Sequence, residues 1–418
     1  MIPILLSVVA TLLVVTLLRN LLPAGSAPTY QMSTTSTVGS PQFIRDMGNL
    51  LGPGFAGANR VDTFTNGDEI FPAMLDAIHG AQRSINLETY LYWSGGIGER
   101  FAQALAERAR AGVAVRLLLD WAGAFRANRS LLRRLKQSGV HVQHYRPLRL
   151  FLLHMINNRT HRKLLIIDGK IGFTGGVGFA DKWSGHAQDR HHWRDNHYRL
   201  EGPAVSQMQS AFLDNWIQTS GEVLHGEAYF PQLTPVGEAR AQVFKSSARQ
   251  GSESMRLMYL MSFAAARRSI RIENSYFVPD DQTVRELVRA RERGVEVEII
   301  VPGRFIDVPL VRIASRSRWG PMLRAGIRIY EFQPTMLHCK VLVVDDCWAS
   351  VGSTNIDNRS FRLNDEANLN VLDDDFAARQ NQLFEADRAR SREVVLHRWR
   401  ARRRVWQESL AALVRSQL

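Results

Sequence analysis

The stretch HRKLLIID at residues 161–168 returns as HCKVLVVD at residues 338–345, and this pair of segments decides the fold. Both segments fit the pattern His-x-Lys-x4-Asp, with an apolar run between the lysine and the aspartate. A short apolar run bounded by polar residues is typical of a buried β-strand. One copy would fit an ordinary exposed strand edge, whereas two copies at matching places indicate an internal repeat.

The repeat extends toward the N-terminal side of each copy. Residues 81–88 (AQRSINLE) match residues 266–273 (ARRSIRIE), and residues 110–119 (RAGVAVRLLL) match residues 293–301 (RGVEVEIIV). Each half therefore predicts a helix, an alternating strand, a second helix and a further apolar strand.

This order of elements predicts an α/β fold. The second helix of each half stops at Gly112 or Gly294, where glycine suits the left-handed position that ends a helix. Strands that alternate with helices form βαβ units, in which helices cover the faces of the sheet. We expect two similar α/β halves, residues 60–225 and 240–418, each a mixed sheet flanked by helices, with the active site at their interface.

The N-terminus carries a separate signal. Residues 2–18 form an uncharged and almost wholly apolar run, and a helix of that length spans about 25 Å, close to the thickness of a hydrocarbon core. We expect residues 1–22 to form a membrane helix and residues 23–59 to form a linker. The alternative is a cleaved signal peptide, since small residues at 24–27 offer a cleavage site, although no Lys or Arg precedes the apolar run.

The composition narrows the class of protein and of partner. The 418 residues are 45% hydrophobic and 22% charged, which excludes large-scale disorder and suits two domains. Lys and Arg number 53 against 40 Asp and Glu, a net charge of +13 that favours an anionic partner, either nucleic acid or an acidic lipid surface. Two cysteines are too few for a disulfide framework or a cysteine-based metal site.

The repeated motif places chemical groups in pairs. Residues i and i+2 of a strand share a face, so His161 stands beside Lys163 and His338 beside Lys340. The intervening Arg162 and Cys339 should point the other way. The two aspartates come after the apolar run at an odd offset, so we expect them to brace the site rather than to react. The residues that the motif assigns to catalysis are His161, Lys163, Asp168, His338, Lys340 and Asp345.

Two imidazoles suit a two-step displacement at phosphorus. A neutral histidine attacks and forms a phosphoryl–enzyme bond, while a protonated histidine donates its proton to the leaving oxygen and later deprotonates the incoming alcohol. The two ammonium groups, with an asparagine amide, neutralise the phosphoryl oxygens as their charge grows. This chemistry requires no metal and no cofactor.

Each imidazole also needs a carboxylate that fixes its tautomer. Glu366 precedes an alternating strand downstream of His338, and Asp195 precedes the equivalent strand downstream of His161. Both are assigned as orienting residues, although an acid at the start of a strand can also simply be solvated. The second motif is followed by Ser353 and Asn355 as further supporting residues.

These residues resemble the phospholipase D superfamily, and among its branches the chain is most similar to the bacterial cardiolipin synthases. The resemblance covers the chain from about Val61 onward and rests on the double motif, on residues 352–355 (GSTN) and on Asn364-x-Glu366. It implies catalysis without metal through a phosphohistidine, with His161 as nucleophile and His338 as acid and base. One departure is that the first half has Gly176 and Gly178 where the second half has a serine and an asparagine.

The resemblance alone does not distinguish a lipid substrate from a nucleic acid. The apolar N-terminus and the apolar stretch at residues 148–156, with its basic flanks, favour a lipid substrate and a membrane surface as partner. Residues 304–324 and the arginine-rich tail are further candidates for contact with anionic headgroups. We expect transfer of a phosphatidyl group between two phosphatidylglycerol molecules at the bacterial inner membrane. The alternatives are a hydrolytic phospholipase D, which uses water as acceptor, and a nuclease.

Overall fold

The computed structural model describes residues 29–32, 36–148, 157–247 and 253–401, together with the isolated positions 7, 11 and 15. Within these residues, no helix combines the length and apolar character needed to span a bilayer. Most of the expected membrane helix at residues 1–22, and most of the apolar stretch at residues 148–156, lie outside the described ranges.

The first half of the described chain alternates strands and helices as the sequence predicts. Its elements are β1 (Ala56–Thr65), α2 (Asn66–His79), β2 (Ser84–Thr89), α3 (Gly96–Arg110), β3 (Ala114–Asp120), α4 (Arg129–Gln137), β4 (His141–Tyr145), β5 (Leu164–Ile167), β6 (Ile171–Gly175), β7 (Asn196–Glu201) and α5 (Val205–Ser220).

The second half repeats this order, with short elements added around it. Its elements are β8 (Ala239–Ser246), α6 (Ser254–Ala265), β9 (Ser269–Asn274), α7 (Asp281–Glu292), β10 (Glu296–Pro302), α8 (Pro309–Arg324), β11 (Arg328–Phe332), β12 (Lys340–Val344), β13 (Trp348–Gly352), α9 (Asn358–Arg362), β14 (Glu366–Leu372), α10 (Asp374–Ala389), β15 (Ser391–Glu393) and α11 (Leu396–Ala401).

The strands of both halves join into one sheet of fifteen. Its order is β15-β11-β10-β9-β12-β13-β14-β8-β1-β7-β6-β5-β2-β3-β4. Counted outward from the antiparallel pair β8–β1, the two sides have the same strand order, with only β15 added at one edge. Strands β2, β3 and β4 run parallel, as do β9, β10 and β11, while the other pairs are antiparallel. Each half is thus the mixed sheet that the repeat predicts.

Among the described residues, three large apolar clusters and one small one are buried. Helices α2 and α3 cover the outer face of the first half, and α6 and α7 cover that of the second half. On the other face a single cluster spans both halves, with side chains such as Phe212 and Trp216 of α5 packing in the same core as Phe384 of α10. This shared core holds the two halves in one position relative to each other.

The expected linker at residues 23–59 contains a helix, α1 (Pro41–Leu51), and the start of β1. The hydroxyl of Ser40 accepts a hydrogen bond from the amide of Phe43 (3.2 Å) and caps the helix. Phe43 and Met47, four residues apart on one face, are buried in the core of the second half. The Phe43 ring meets that of Trp348 edge-on at 5.2 Å. The interpretation of residues 41–59 as linker is therefore wrong, because two apolar side chains at helical spacing sufficed to dock this segment.

Candidate active site

The two motifs meet because each lies against backbone from the opposite half. The amide of His161 donates to the carbonyl of Asp365 (2.8 Å), and the amide of His338 donates to the carbonyl of Arg194 (2.7 Å). Isolated β-bridges pair Thr160 with Asp365 and Arg194 with Leu337. The residue after each accepting carbonyl is one of the two orienting carboxylates, so these backbone contacts deliver each carboxylate to the other half's histidine.

The side chains complete this exchange. Nδ1 of His161 lies 3.0 Å from Oε2 of Glu366, and Nδ1 of His338 lies 2.8 Å from Oδ2 of Asp195. The sequence places each carboxylate downstream of the histidine in its own half, and in the structure each pairs with the histidine of the other half. Both residues were found from the sequence, but their partners were not, because pairing between halves is a property of the tertiary fold. With Nδ1 engaged, Nε2 of His161 is the ring nitrogen left to face a substrate, and Nε2 of His338 lies 3.3 Å from Nζ of Lys340.

The two lysines stand beside their histidines as the strand spacing predicts. Nζ of Lys163 donates to the carbonyl of His161 (2.6 Å), and Nζ of Lys340 donates to that of His338 (2.7 Å). Lys340 also donates to Oγ of Ser275 (2.6 Å), which in turn donates to Oδ1 of Asn355 (2.7 Å). Asn355 therefore acts on the lysine through Ser275, which the sequence did not single out.

The two histidines and two lysines share one buried site, where each opposes the protonation of the others. Burial, together with Lys163 and Lys340 and against the effect of Glu366, lowers the pKa of His161 to about 4. Burial, together with Lys340, Lys163 and His161, holds the pKa of His338 well below its usual value. Burial also lowers the pKa of Lys163 to about 7. A site that crowds positive charge in this way favours an anionic ligand, which would relieve the repulsion.

The two carboxylates differ in their affinity for a proton. Burial raises the pKa of Asp195 to about 7, in spite of Lys340 and a backbone hydrogen bond from Asn196. Burial acts in the same direction on Glu366, but His161, Lys163 and a hydroxyl donor together hold its pKa below the usual value. Asp195 therefore takes up a proton at a higher pH than Glu366 does, and Glu366 is the more strongly anionic of the two.

Different side chains hold the two carboxylates in place. Ser353 donates its hydroxyl hydrogen to Glu366 (2.5 Å), and the indole Nε1 of Trp183 donates to Asp195 (2.9 Å). Gly176, which stands where the second half has Ser353, has no room for a side chain, since a Cβ there would lie 2.2 Å from Oδ1 of Asp195. Trp183 thus takes the part that the serine has in the other half. Trp183 was not predicted from the sequence, because its 3-10 helix of three residues is too short to show a periodic pattern.

Asp168 and Asp345 lie away from the site and are not positioned for catalysis. Each follows its strand, and five residues at about 3.3 Å each place Asp168 about 16 Å along the strand from Lys163. The carboxylate of Asp168 accepts from the amides of Arg83 (2.7 Å) and Ser84 (2.8 Å). Asp345 accepts in the same way from residues 267–269. Both aspartates anchor the start of the neighbouring strand. They therefore brace the sheet and not, as expected, the active site, and their assignment to the catalytic set is corrected.

The residues between each histidine and lysine point away from the site, as the spacing predicts. Arg162 is buried and donates to backbone carbonyls, including that of Ala211 (2.6 Å). Cys339 lies near Glu273 and Asp387, and among the described residues this trio is the group whose ligand atoms lie close enough for a metal. Asp387 is already paired with Arg194, and burial and Asp387 raise the pKa of Glu273 to about 8. A protonated acid and a paired one do not form a ready metal site.

A family model described as "Cardiolipin synthase, PLD-like domain" matches residues 74–216 and 259–388 of this chain. The chain belongs to this family. Each matched segment contains one histidine–lysine motif and the carboxylate that serves the other, so the crossed pairs lie within the phospholipase D-like domains themselves.

Named relatives within the family are similar over most of this chain. A cardiolipin synthase 2 of Bacillus anthracis is 36% identical over 344 residues, which is 82% of this chain and 67% of that protein. A cardiolipin synthase of Geobacillus thermodenitrificans is 37% identical over 314 residues, 74% of this chain and 62% of that protein. The matched region thus spans about two thirds of the length of these relatives.

Solved structures with the phospholipase D-like fold cover nearly the whole chain. A phosphatidylserine synthase of Haemophilus influenzae superposes with a TM-score of 0.68 at 12% identity, over 90% of this chain and 99% of that one. A polyphosphate kinase of Porphyromonas gingivalis superposes with a TM-score of 0.55 at 15% identity, over 90% of this chain and 54% of that one. At such low identity these likenesses concern the fold alone.

Proposed function

We propose that this protein transfers a phosphatidyl group from one phosphatidylglycerol to the hydroxyl of another, forming cardiolipin and releasing glycerol. The observation that carries the proposal is the pair of crossed imidazole–carboxylate contacts, His161 with Glu366 and His338 with Asp195, around one cationic site. Relatives named as cardiolipin synthases, similar over about three quarters or more of the chain, support the choice of substrate.

The different charges of the two pairs support a division of roles. His161 is neutral beside an anionic Glu366, which suits a nucleophile that must attack with a free ring nitrogen. Asp195 accepts a proton near neutral pH more readily than Glu366 does, and we assign the role of the acid that protonates a leaving group to its partner His338. An arriving phosphodiester carries a negative charge, which raises the pKa of His338 from its depressed value and favours the protonated form.

The reaction then proceeds in two balanced steps. Nε2 of His161 forms a bond to phosphorus as the bond from phosphorus to the glycerol oxygen breaks, and His338 gives its proton to that oxygen. After glycerol leaves, His338 takes the proton from the hydroxyl of the second phosphatidylglycerol. Its oxygen bonds to phosphorus while the bond from phosphorus to His161 breaks.

Lys163 and Lys340 stabilise the charge that develops on the non-bridging oxygens. Both are buried and lie beside the reacting histidines, so their ammonium groups act in a medium of low dielectric. Ser275 accepts a hydrogen bond from Lys340 and is itself held by Asn355, so these two residues help to position the lysine. We assign these two polar residues to positioning and the two lysines to catalysis.

The surface around the site fits a membrane. The loops that follow β3, β4 and β10 leave the sheet at the same end of the strands as the one where the two motif strands begin. These loops expose the large apolar side chains of Trp121, Phe125, Leu148 and Val308, and Phe125 is 72% exposed. Leu310, at the start of α8, is exposed beside them. Apolar side chains on a basic surface suit the interface of a bilayer with anionic lipids. We therefore place the protein at the membrane with these loops against the lipid.

Purified full-length protein incubated with phosphatidylglycerol vesicles tests the proposal, with supercoiled plasmid in a parallel reaction. We expect cardiolipin and glycerol in equal amounts and an intact plasmid. His161→Ala and His338→Ala proteins serve as controls for contaminating activity. Phosphatidic acid as the sole lipid product would assign a hydrolytic phospholipase D instead, and nicked plasmid without any lipid product would refute a lipid substrate.

A further inference from the structure

A third ammonium group, outside the two motifs, stands next to the catalytic site. Nζ of Lys182 lies 3.7 Å from the ring centroid of Trp193, 4.3 Å from that of Trp93 and 5.1 Å from that of Trp183. Three indoles around one cation form an aromatic cage. The cage is filled by the protein's own lysine.

The turn that carries Lys182 is fixed at both sides. The carboxylate of Asp181 accepts hydrogen bonds from the amides of Gly96 (3.0 Å) and Ile97 (2.8 Å) at the start of α3. The carbonyl of Lys182 accepts from the amide of Trp193 (2.6 Å). The ammonium group is therefore held in position by the scaffold before any ligand arrives.

The charge of Lys182 is only weakly compensated. It forms no ion pair with a carboxylate in the part of the chain that the structure describes. Burial and the charge of Arg126 lower the pKa of Lys182 to about 8, and the carboxylate of Asp307 opposes this shift. Asp307 is exposed and accepts the hydroxyl hydrogen of Tyr276 (2.8 Å). A desolvated cation of this kind gains most from an anionic partner.

The cage is joined to the acid and base of the reaction. The rings of Trp183 and Trp193 each lie 5.3 Å from the ring of His338, and the cation of Lys182 contributes to lowering the pKa of that histidine. Trp183 also holds Asp195. Lys182 and His338, the proposed base for the acceptor alcohol, thus contact the same two indole rings.

The proposed reaction needs a cation at such a place. When phosphatidylglycerol is the acceptor, its attacking hydroxyl is joined through three carbons to a second phosphate, which carries a negative charge and does not react. Water as acceptor has no second phosphate, and neither has free glycerol. A site built for lipid-to-lipid transfer therefore needs one more phosphate-binding group than a hydrolase, next to the base.

We propose that Lys182, held by Trp93, Trp183 and Trp193, binds the non-reacting phosphate of the acceptor phosphatidylglycerol. This inference rests on the proposed function and assigns the acceptor side of the same site. Arg126, whose guanidinium lies 4.6 Å from the ring centroid of Trp93, extends the positive charge outward from the cage. Lys182 is then the residue that directs the phosphoenzyme toward a lipid acceptor rather than toward glycerol or water.

Two reactions that differ only in the acceptor test the proposal. Cardiolipin formation uses phosphatidylglycerol as acceptor, and exchange of labelled glycerol into phosphatidylglycerol uses free glycerol with the same donor and the same phosphohistidine. We expect Lys182→Met to lower cardiolipin formation at least tenfold more than it lowers glycerol exchange. Lys182→Arg, which keeps the charge and can stack on the indoles, should restore most of the ratio.

Lys170→Met is the matched control. Lys170 is an exposed lysine in the turn between β5 and β6, at the end of β5 that is farther from the motif. It should leave the ratio of the two reactions unchanged. Equal losses of both reactions in Lys182→Met, with no rescue by arginine, would show that Lys182 only supports the tryptophans. An unchanged ratio with full activity would also overturn the proposal. If the wild-type protein exchanges glycerol but makes no cardiolipin, the proposed function itself fails, independently of Lys182.

Discussion

The two halves of the sheet hold their orienting carboxylates in different ways. The second half uses the longer Glu366 with the hydroxyl of Ser353, and the first half uses the shorter Asp195 with the indole of Trp183 and a glycine at position 176. Both arrangements bring a carboxylate to about the same distance from an imidazole of the other half. The repeat thus preserves the geometry of the pairs while allowing their proton affinities to differ. In the proposed mechanism, that difference distinguishes the histidine that attacks from the histidine that donates a proton.

The largest expected effect comes from removing either histidine. His161→Ala and His338→Ala should each lower turnover by about 10⁴-fold or more, since one removes the nucleophile and the other the proton donor. A lipid donor with a leaving group that needs no protonation separates them. The His338→Ala protein should still form a phosphohistidine, detected by mass spectrometry, and the His161→Ala protein should not. A phosphoenzyme in the His161→Ala protein would reverse the assigned roles.

Neutralising the carboxylates tests the asymmetry between the pairs. Asp195→Asn and Glu366→Gln should each lower kcat/KM by about 100-fold or more, because each leaves its histidine without an anionic partner. In the wild-type protein kcat/KM should fall below a pH of about 4, as His161 gains a proton, and above about 7, as Asp195 and Lys163 lose theirs. Asp195→Asn should change the alkaline limb more than Glu366→Gln does. The same profile in both variants would remove the proposed difference between the pairs.

The groups that hold the carboxylates should matter less and unequally. Gly176→Ala forces a Cβ against Asp195, so we expect a loss of about 100-fold in kcat, as the carboxylate is displaced from His338. Ser353→Ala removes one of several groups that stabilise Glu366, and a loss of about tenfold is expected. Thermal unfolding of both variants shows whether the fold is retained. A larger loss in Ser353→Ala than in Gly176→Ala would contradict the packing at position 176.

The smallest effect is expected at position 339. Cys339 lies within the site motif but points into the core shared by the two halves. Cys339→Ser should keep kcat within about threefold of the wild-type value and lower thermal stability slightly, because a buried thiol is replaced by a more polar hydroxyl. A loss of turnover comparable to that of the histidine variants would place the thiol in the chemistry.

Much of this molecule could be predicted from the sequence, because its signals are local. The apolar runs within residues 161–168 and 338–345 predicted both motif strands, and the two-residue spacing predicted the face shared by each histidine and lysine. Glu366 and Asp195 were found from their place before a strand. Their exchange between halves was not, because the antiparallel pairing of β1 with β8 and the bridges at Thr160 and Arg194 arise only in the folded chain.

Other residues were missed because their surroundings carry no periodic signal. Trp183 and Lys182 lie in a 3-10 helix of only three residues, Asp181–Trp183, which is too short to show a periodic pattern. Helix α1 is short and flanked by glycines and prolines, which are typical of loops. Asp168 was included in the catalytic set because it completes the motif, whereas its three amide donors show that its function lies in the sheet.

The unbroken sheet and the core common to both halves have a consequence for the movement of substrates. A cleft between separate lobes can open about a hinge, but here the strands that would have to part are hydrogen-bonded neighbours. The enzyme cannot admit a lipid or release glycerol by swinging its halves apart. Entry and exit must therefore pass through the rim of loops around the site rather than depend on a domain motion.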